Sequence, residues 1–362
     1  MTPREPKGRG PAWTLSLPPD PPQERGTSDE GRRGLESAPE ASETTQPIPD
    51  WPGRLVPLDG GQQVYARSAP GPEDAEPALL VHGLEGSSRN WTDLMDLLRP
   101  TLACEAVDLP GFGESPPRPD GRYSIAAFAQ TVIALIKQSK RGPVHLIGNS
   151  LGGAVCLKVA AARPRLVRTL TLISPALPDL RPRLDLVRFP AIALPRVGSR
   201  LIRRYQAAQP PERRVAGVIS TSYSNPGLYP QARFAAEVAE LNRRDSLEYA
   251  AAALMGSARA LTAEFLRKGR HSPWRDVARI TAPCLVIYGQ HDRLVDPRAA
   301  GRAAHMFSEA RIVVLPRTGH VAQMERPGLV AAEIGILLGI PGGFGRLSEE
   351  RTGEATPESV RY

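Results

Sequence analysis

Three residues that can perform acyl transfer occur along this chain in the order nucleophile, acid, base: Ser150, Asp292 and His320. A serine hydroxyl is a poor nucleophile at neutral pH, so it needs a base to take its proton and a further group to orient that base. The sequence therefore predicts Ser150 as the nucleophile and His320 as the general base. Asp292 is predicted to hold the imidazole and to stabilise its charged form.

The serine stands in the run Gly-Asn-Ser-Leu-Gly at residues 148–152, which has the pattern Gly-x-Ser-x-Gly. The apolar run at 144–147 predicts a buried strand before it, and residues 153–162 predict a helix after it. A serine on a sharp turn between a strand and a helix projects its hydroxyl into a cleft, and glycines permit the turn. Because five-residue patterns of Gly and Ser arise often by chance, this context carries the prediction.

The acid and the base each follow a predicted strand. Asp292 comes after the apolar run at 284–288, and His320 comes after the run at 311–315. Functional groups gather at the carboxyl ends of the strands in an open parallel sheet, so both side chains are expected near Ser150. Asp296, four residues beyond Asp292, precedes a proline and is predicted to cap the next helix instead.

Two backbone N–H groups are candidates for an oxyanion hole. One belongs to Leu84, in the glycine-containing loop that follows a predicted strand, and the other belongs to Leu151, directly after the serine. Each such donor stabilises the transition state by up to several kcal/mol, in the range of about 3–4. Gly83 and Asn149, which neighbour these positions, are predicted to contact the substrate.

Strands and helices alternate along most of the chain from about residue 51. Such alternation indicates an α/β fold with a mostly parallel sheet covered on both faces by helices. The predicted strands are 77–82, 102–107, 144–147, 169–173, 284–288 and 311–315, and the predicted helices include 123–139, 153–162 and 327–338. The predicted organisation is a disordered tail rich in Pro, Gly and charge (1–50), a first part of the core (51–175), a helical cap or lid (176–272), a second part of the core (273–341) and a loose tail (342–362).

Composition sets further limits. Apolar residues make up 41% of the 362 residues, which is enough for a large core. The three cysteines, Cys104, Cys156 and Cys284, are too few and too scattered for a disulfide framework or a zinc site, and each is predicted to be a buried thiol. The sequence contains no run of about 18 apolar residues, so no membrane-spanning helix is predicted. The first residues lack the apolar region of a secretory signal, so a cytoplasmic location is expected by default.

The net charge of +8 is concentrated in the predicted cap. Residues 176–272 carry 16 Lys and Arg against 8 Asp and Glu, so the rest of the chain is close to neutral. One interpretation is a solvated face whose long arginine stems cover apolar surface. The other is attraction to an acidic partner, either a negatively charged substrate or an anionic membrane surface, on which the stretch 194–205 could lie. Nucleic acid is not expected as a partner, because the excess lies in an insertion beside the predicted cleft of Ser150.

These motifs together resemble the α/β-hydrolase-fold enzymes that carry a cap. The resemblance covers about residues 55–340 and rests on Leu-Val-His-Gly at 80–83, Asp-Leu-Pro-Gly-Phe-Gly-Glu-Ser at 108–115, the serine turn at 148–153, Gly-Gln-His-Asp at 289–292 and the run from Gly319 to Pro327. It implies eight strands in a mostly parallel sheet and a helical cap at 176–272. It also implies no metal and no organic cofactor, a structural role for the 108–113 loop, and a role for His82 in shaping the oxyanion loop.

The expected reaction is cleavage of a small-molecule ester through an acyl-enzyme on Ser150, as in carboxylesterases or monoacylglycerol lipases. The alternative is C–C bond hydrolysis of ring-cleavage products, since enzymes of that kind share a Gly-Asn-Ser-x-Gly-Gly turn. Against it, those enzymes usually have an aromatic residue just after the base, and here that residue is Val321. A further alternative is a ligand-binding protein of this fold without catalysis, although such proteins usually lose one of the three triad residues.

Overall fold

A computed structural model of the protein describes residues 48–178, 204, 208–267, 269, 272–307 and 309–340. The predicted N-terminal tail is therefore described only from residue 48 onward. The predicted C-terminal tail at 342–362 lies outside the described residues, and so does the basic stretch at 194–205 apart from residue 204.

Within the described residues, the strands form one eight-stranded sheet. The strands are β1 (Gly53–Pro57), β2 (Gln63–Ala69), β3 (Glu76–Val81), β4 (Leu102–Val107), β5 (Val144–Asn149), β6 (Val167–Ile173), β7 (Cys284–Gly289) and β8 (Ala310–Leu315). Their order in the sheet is β1-β2-β4-β3-β5-β6-β7-β8, and every pair is parallel except β1 with β2 and β2 with β4. The mostly parallel eight-stranded α/β sheet expected from the resemblance is confirmed.

The sequence patterns identified β3 to β8 but not β1 and β2. Parallel strands covered on both faces read as continuous apolar runs, and β5 and β7 are buried along their whole length. In contrast, β1 is an edge strand with one buried residue, and β2 mixes buried and partly exposed positions. The antiparallel end of the sheet therefore lacks the signal by which the central strands were recognised.

Helices cover both faces of the sheet. The described helices are α1 (Thr92–Leu98), α2 (Ile125–Ser139), α3 (Leu151–Ala162), α4 (Pro211–Ser222), α5 (Gln231–Asp245), α6 (Ala250–Leu266), α7 (Trp274–Val277), α8 (Ala299–Met306), α9 (Ala322–Glu325) and α10 (Pro327–Leu337), with 3-10 helices at Asp59–Gly61, Ser88–Trp91, Pro164–Leu166 and Pro226–Leu228. Helices α1 and α10 pack on one face of the sheet, and α2, α3 and α8 contribute to the apolar layer on the other face.

Helices α4, α5 and α6 lie between β6 and β7 along the chain, inside the range predicted as the cap. The described residues between β6 and β7 contain no strand. Val215, Ile219, Tyr223 and Leu241 form a small apolar cluster of their own, against which Val321 and Met324 pack. The cap thus has its own core, and this core is continued by residues that follow the predicted base. The outer limits of the cap at 176 and 272 stay a prediction.

The three cysteines are buried free thiols, as predicted. Burial raises the pKa of Cys104 and of Cys284 to about 12. These groups therefore stay protonated at neutral pH and are poor nucleophiles or metal ligands. The described part of the chain holds no helix with the length and hydropathy needed to cross a bilayer.

Candidate active site

Ser150 lies on the tight turn between β5 and α3, where the sequence placed it. Its backbone has φ 52° and ψ −115°, a left-handed conformation that a serine rarely adopts and that the surrounding structure must hold. Its N–H donates to the carbonyl of Ile173 at 3.0 Å, and its carbonyl accepts from the N–H groups of Ala154 and Ala176. A Cβ atom on Gly152 would overlap the carbonyl oxygen of Val81, so this position accommodates only glycine.

The structure brings Asp292 and His320 together, although they are 28 residues apart in the chain. His320 Nδ1 lies 2.9 Å from Asp292 Oδ2, and both side chains are buried. Since a carboxylate only accepts, Nδ1 carries the proton of this hydrogen bond. In the neutral form of the ring, the Nε2 lone pair is therefore free to take a proton, which is the arrangement that a general base requires.

The carboxylate of Asp292 is kept ionised by its surroundings. Burial by itself raises the pKa of this group, but the adjacent His320 and the backbone N–H of Val295 outweigh burial and hold the pKa below its ordinary value. Asp292 Oδ1 accepts from the N–H groups of Leu294 at 2.8 Å and Val295 at 2.9 Å. One oxygen thus anchors the carboxylate to its own loop while the other holds the imidazole.

Asp296 has different partners from Asp292. Its Oδ1 accepts the N–H of Arg298 at 3.0 Å, and its carboxylate also pairs with the Arg298 guanidinium. This is a turn ahead of α8, whose N-cap is Arg298 with no side-chain cap, so the predicted capping by Asp296 is not observed.

His82 shapes the loop that carries the predicted oxyanion donor. The N–H of Leu109 donates to His82 Nε2 at 2.9 Å, so the ring proton sits on Nδ1 and is donated to the carbonyl of Gly83 at 2.7 Å. Burial lowers the pKa of this histidine against the opposing charge of Asp108, which favours the neutral ring. The ring therefore ties the loop of Leu84 to the neighbouring 108–113 loop.

The 108–113 loop is a brace, in line with the structural role that was expected. Asp108 is almost fully buried, and its carboxylate accepts the N–H groups of Ser88 at 2.5 Å and Glu114 at 2.8 Å. The Ser115 hydroxyl donates to the Asp108 carbonyl at 2.7 Å. Each oxygen of this carboxylate accepts from a backbone group, so Asp108 orders the loops around the site.

The two predicted oxyanion donors belong to the serine turn itself and to the loop that passes beside it. Leu151 is the first residue of α3 and is fully buried, while Leu84 packs against the core at the edge of its loop. A Cβ atom on Gly83 would lie 3.2 Å from Ser150 Cβ, so the Leu84 loop passes directly beside the serine. Neither N–H has an acceptor among the described residues. Their role as oxyanion donors stays a prediction.

Asn149 is buried and its amide is used inside the protein. Its Nδ2 donates to the carbonyl of Ile173 at 3.1 Å and to the carbonyl of His320 at 3.1 Å. The side chain therefore links the serine turn to β6 and to the loop of the base. These hydrogen bonds do not test contact with a substrate. The substrate-binding roles of Asn149 and Gly83 therefore stay predictions.

Glu325 is a site residue whose role sequence reasoning missed. It is buried at 6% exposure, and its carboxylate accepts the N–H groups of Gly319, Ser224 and Asn225. The available signal was an acidic residue five positions after the base and two positions before a predicted helix. Its partners in the cap are about 100 residues away along the chain, so spacing alone did not reveal them.

A small crevice opens between the cap and the loops beside the serine turn. Glu85 and Phe112 line it from the core, and Arg214, Arg244 and Leu254 line it from the cap. The ring of Phe112 packs edge-on against His82, with 5.8 Å between the ring centroids. The crevice therefore lies beside the loop that carries Leu84.

Several arginines of the described cap contact the core. Arg233 pairs with both carboxylate oxygens of Asp93, Arg243 Nη2 donates to the Gly113 carbonyl at 2.7 Å, and Arg244 Nη1 donates to the Glu85 carbonyl at 2.9 Å. Residues 208–267 carry seven arginines and six acidic residues, so most of the basic excess of the cap lies outside the described residues. The membrane interpretation of that excess stays a prediction.

No group of three or more His, Cys, Asp or Glu side chains within the described residues is arranged to hold a metal ion. His145 is a core residue with Thr169 and Glu76 at its ring nitrogens, and His305 bonds to its own helix. His291 is exposed beside Asp292, and His271 lies outside the described residues. Of the histidines that the structure describes, His320 is thus the one whose ring is hydrogen-bonded to a buried carboxylate.

Comparison with known proteins agrees with this architecture. Residues 77–327 match the family described as alpha/beta hydrolase fold. The chain is 30% identical over 274 residues to the dihydrolipoyllysine-residue acetyltransferase component of the acetoin cleaving system of Cupriavidus necator, with 74% of this chain and 64% of that protein covered. It spans 61% of the corresponding Pseudomonas putida protein, so it accounts for less than two thirds of either relative.

Two solved structures show how broad the structural likeness is. A membrane phospholipase A has a TM-score of 0.64 and 21% identity, with 80% of this chain and 86% of that chain covered. The 2-hydroxy-6-oxo-6-phenylhexa-2,4-dienoate hydrolase of Rhodococcus sp. strain RHA1 has a TM-score of 0.64 and 20% identity, with 79% and 99% covered. Identities at this level show the fold and leave the substrate open. The sheet, the helices on its two faces and the match over residues 77–327 together establish that the chain belongs to the α/β-hydrolase-fold family.

Proposed function

We propose that the protein is a serine hydrolase that cleaves carboxylic esters through an acyl-enzyme on Ser150. The observation that carries this proposal is the 2.9 Å hydrogen bond between His320 and the buried Asp292. This bond sets the tautomer in which Nε2 can take a proton, and it lies at the same end of the sheet as the strained turn of Ser150.

In this mechanism, Ser150 Oγ attacks the ester carbonyl carbon while His320 Nε2 takes the hydroxyl proton. The carbonyl oxygen becomes an oxyanion, for which the N–H groups of Leu84 and Leu151 are the proposed donors. The intermediate collapses, the C–O bond to the alcohol breaks, and the imidazolium returns the proton to the leaving alkoxide. Water then attacks the acyl-enzyme with the same base, which releases the acid and restores Ser150.

The preference for an ester over a C–C bond rests on the environment of the base. The phospholipase and the dienoate hydrolase have the same TM-score with this chain, so the fold does not favour one substrate class. Val321, the residue after the base, packs with Met324 against the apolar cluster of the cap. The position that is usually aromatic in C–C hydrolases is thus aliphatic here and is used to seat the cap. The Asn149 amide, which favoured the alternative, is accounted for by its two carbonyl partners.

A fluorophosphonate probe tests the proposal directly. We expect it to label the full-length protein at Ser150, and we expect Ser150→Ala to abolish labelling with its thermal unfolding unchanged. p-Nitrophenyl acetate, butyrate and laurate should be hydrolysed faster than a ring-cleavage dienoate. A folded wild-type protein that is not labelled and hydrolyses none of these compounds would refute the proposal in favour of a ligand-binding role. Preferential cleavage of the dienoate would establish the C–C reaction instead.

A further inference from the structure

We propose that Glu325 is a positioning residue for the base, because it fastens the loop of His320 to the cap segment at residues 222–225. The inference rests on the proposed function of His320 as the general base. Glu325 has no contact that would make it part of the reacting groups. It acts through the backbone on either side of it.

The contacts of the Glu325 carboxylate join two parts of the chain that are far apart in sequence. Oε2 accepts the N–H of Gly319 at 2.6 Å, directly before the base. Oε1 accepts the N–H groups of Ser224 and Asn225, each at 3.0 Å, just after the end of α4. A buried carboxylate is costly unless it is hydrogen-bonded, and here three backbone donors satisfy it. The carboxylate therefore gains its stability only when the cap segment and the base loop are both in place.

The same two segments are also bonded to each other without Glu325. The N–H of His320 donates to the carbonyl of Ser222 at 2.7 Å, and the Ser224 hydroxyl donates to the carbonyl of Arg317 at 2.7 Å. A Cβ atom on Gly319 would lie 2.6 Å from the Ser224 nitrogen, so the backbones are in close approach. The backbone of the base is consequently held by the cap on its N–H side and by Asn149 on its carbonyl side.

This arrangement has a consequence for the motion of the cap. Lifting residues 222–225 would break the hydrogen bonds to Gly319 and His320 and would leave the Glu325 carboxylate unsatisfied. Residues 222–225 are therefore the fixed end of the cap, and any opening that preserves the base must occur elsewhere. Because a displacement of about 1 Å at a reacting group can cost on the order of 100-fold in rate, a loosened His320 loop should lower turnover.

The test compares Glu325→Gln with Glu333→Gln in the full-length protein. Glu333 is a matched control. It lies on α10, and its carboxylate pairs with Arg311 on β8 and not with the loop of the base. With p-nitrophenyl butyrate and enzyme titrated by a fluorophosphonate burst, we expect Glu325→Gln to lower kcat about 10- to 100-fold with KM changed less than about threefold. Glu333→Gln should keep kcat within about twofold.

A double-variant comparison separates positioning from general destabilisation. If Glu325 acts only through the base, Glu325→Gln should have no further effect on the residual rate of His320→Ala. Full additivity of the two losses would overturn the proposal. Ser224→Ala removes one bond of the same junction from a half-buried side chain. It should lower kcat in the same direction by a smaller factor, and it serves as the readout if Glu325→Gln does not fold.

Hydrogen–deuterium exchange tests the junction independently of activity. Exchange should accelerate in peptides covering both 222–225 and 317–321 in Glu325→Gln, and in neither for Glu333→Gln. Unchanged exchange in both segments would overturn the proposed tie. If the wild type is inactive but exchange in Glu325→Gln is accelerated, the tie between the two segments is upheld and the proposed esterase function is refuted. Failure of the tie and failure of the proposed function are therefore distinguishable.

Discussion

The side-chain amide of Asn149 donates to the backbone carbonyl of His320 at 3.1 Å. Through this bond the residue before the nucleophile holds the backbone of the predicted base, across 171 positions of sequence. Its second bond, to the Ile173 carbonyl, ties both to β6. The relative placement of Ser150 and His320 therefore depends on a buried amide as well as on the sheet.

Replacing Asn149 with Asp should impair both stability and turnover. An ionised carboxylate would face two carbonyl oxygens with no proton to donate, and buried acceptors left unpaired cost about 1–3 kcal/mol each. We expect a lower melting temperature and a kcat at least about tenfold lower with p-nitrophenyl butyrate. Asn242, which is exposed on α5, provides the control variant Asn242→Asp. Equal kcat values for Asn149→Asp and the wild type would contradict the bracing role.

Neighbouring acids in the β7 loop should respond differently to the same substitution. Asp292→Asn removes the acceptor that sets the tautomer of His320, and losses of about 10⁴-fold in kcat are typical of such a change. Asp296→Asn keeps an acceptor for the Arg298 N–H and weakens only the partly exposed ion pair with Arg298, so we expect activity within about threefold and a loss of stability of about 1 kcal/mol or less. Steady-state kinetics and thermal melts of the two variants check this. If Asp296→Asn were the inactive one, the acid would be misassigned.

Stability should depend on pH through Asp292. The folded state holds the pKa of this carboxyl below its ordinary value of 3.8. The stabilisation is therefore fully present above that value, and it is lost as pH falls through the lower value of the folded protein. In urea titrations from about pH 6 down to about pH 3, the free energy of unfolding should decrease more steeply for the wild type than for Asp292→Asn. Parallel curves would show that Asp292 is not ionised more readily in the folded state.

The ion pair between Arg233 and Asp93 should hold α5 of the cap against α1. Arg233 Nη2 lies 2.6 Å from Asp93 Oδ1 and 3.2 Å from the carbonyl of Ile48. Both side chains are partly exposed, so solvent screening limits the effect of Arg233→Ala to about 1 kcal/mol or less. We expect a slightly lower melting temperature and faster hydrogen exchange in α5. Arg259→Ala, at an exposed position of α6, should change neither.

Residues 48–51 should tolerate deletion less well than the residues before them. Trp51 Nε1 donates to the Thr92 carbonyl at 3.1 Å, and Asp50 pairs with Arg89 at 3.1 Å. Removing residues 1–47 is expected to leave p-nitrophenyl butyrate hydrolysis unchanged. Extending the deletion through residue 51 should lower the melting temperature, because these two contacts and the Ile48 carbonyl that accepts from Arg233 are lost. A loss of activity on removal of 1–47 alone would assign those residues a role beyond that of a tail.

Much of the fold was predictable because the central strands are buried on both faces. Their apolar runs, separated by helical stretches, placed β3 to β8 within one or two residues of the observed bounds. The edge strands β1 and β2 were not predicted, since a half-exposed antiparallel edge mixes polar and apolar residues. The eight-stranded total came from the resemblance of the motifs.

The sequence by itself determined which residues are candidates for chemistry. Ser150, Asp292 and His320 follow the strands β5, β7 and β8, and the carboxyl ends of parallel strands meet at one edge of the sheet. Only the tertiary structure decided how these residues are held. The bonds of Glu325 to Ser224 and of Asn149 to His320 join segments about 100 and 171 residues apart. Such contacts depend on the distance between folded surfaces, which no local pattern of side chains encodes.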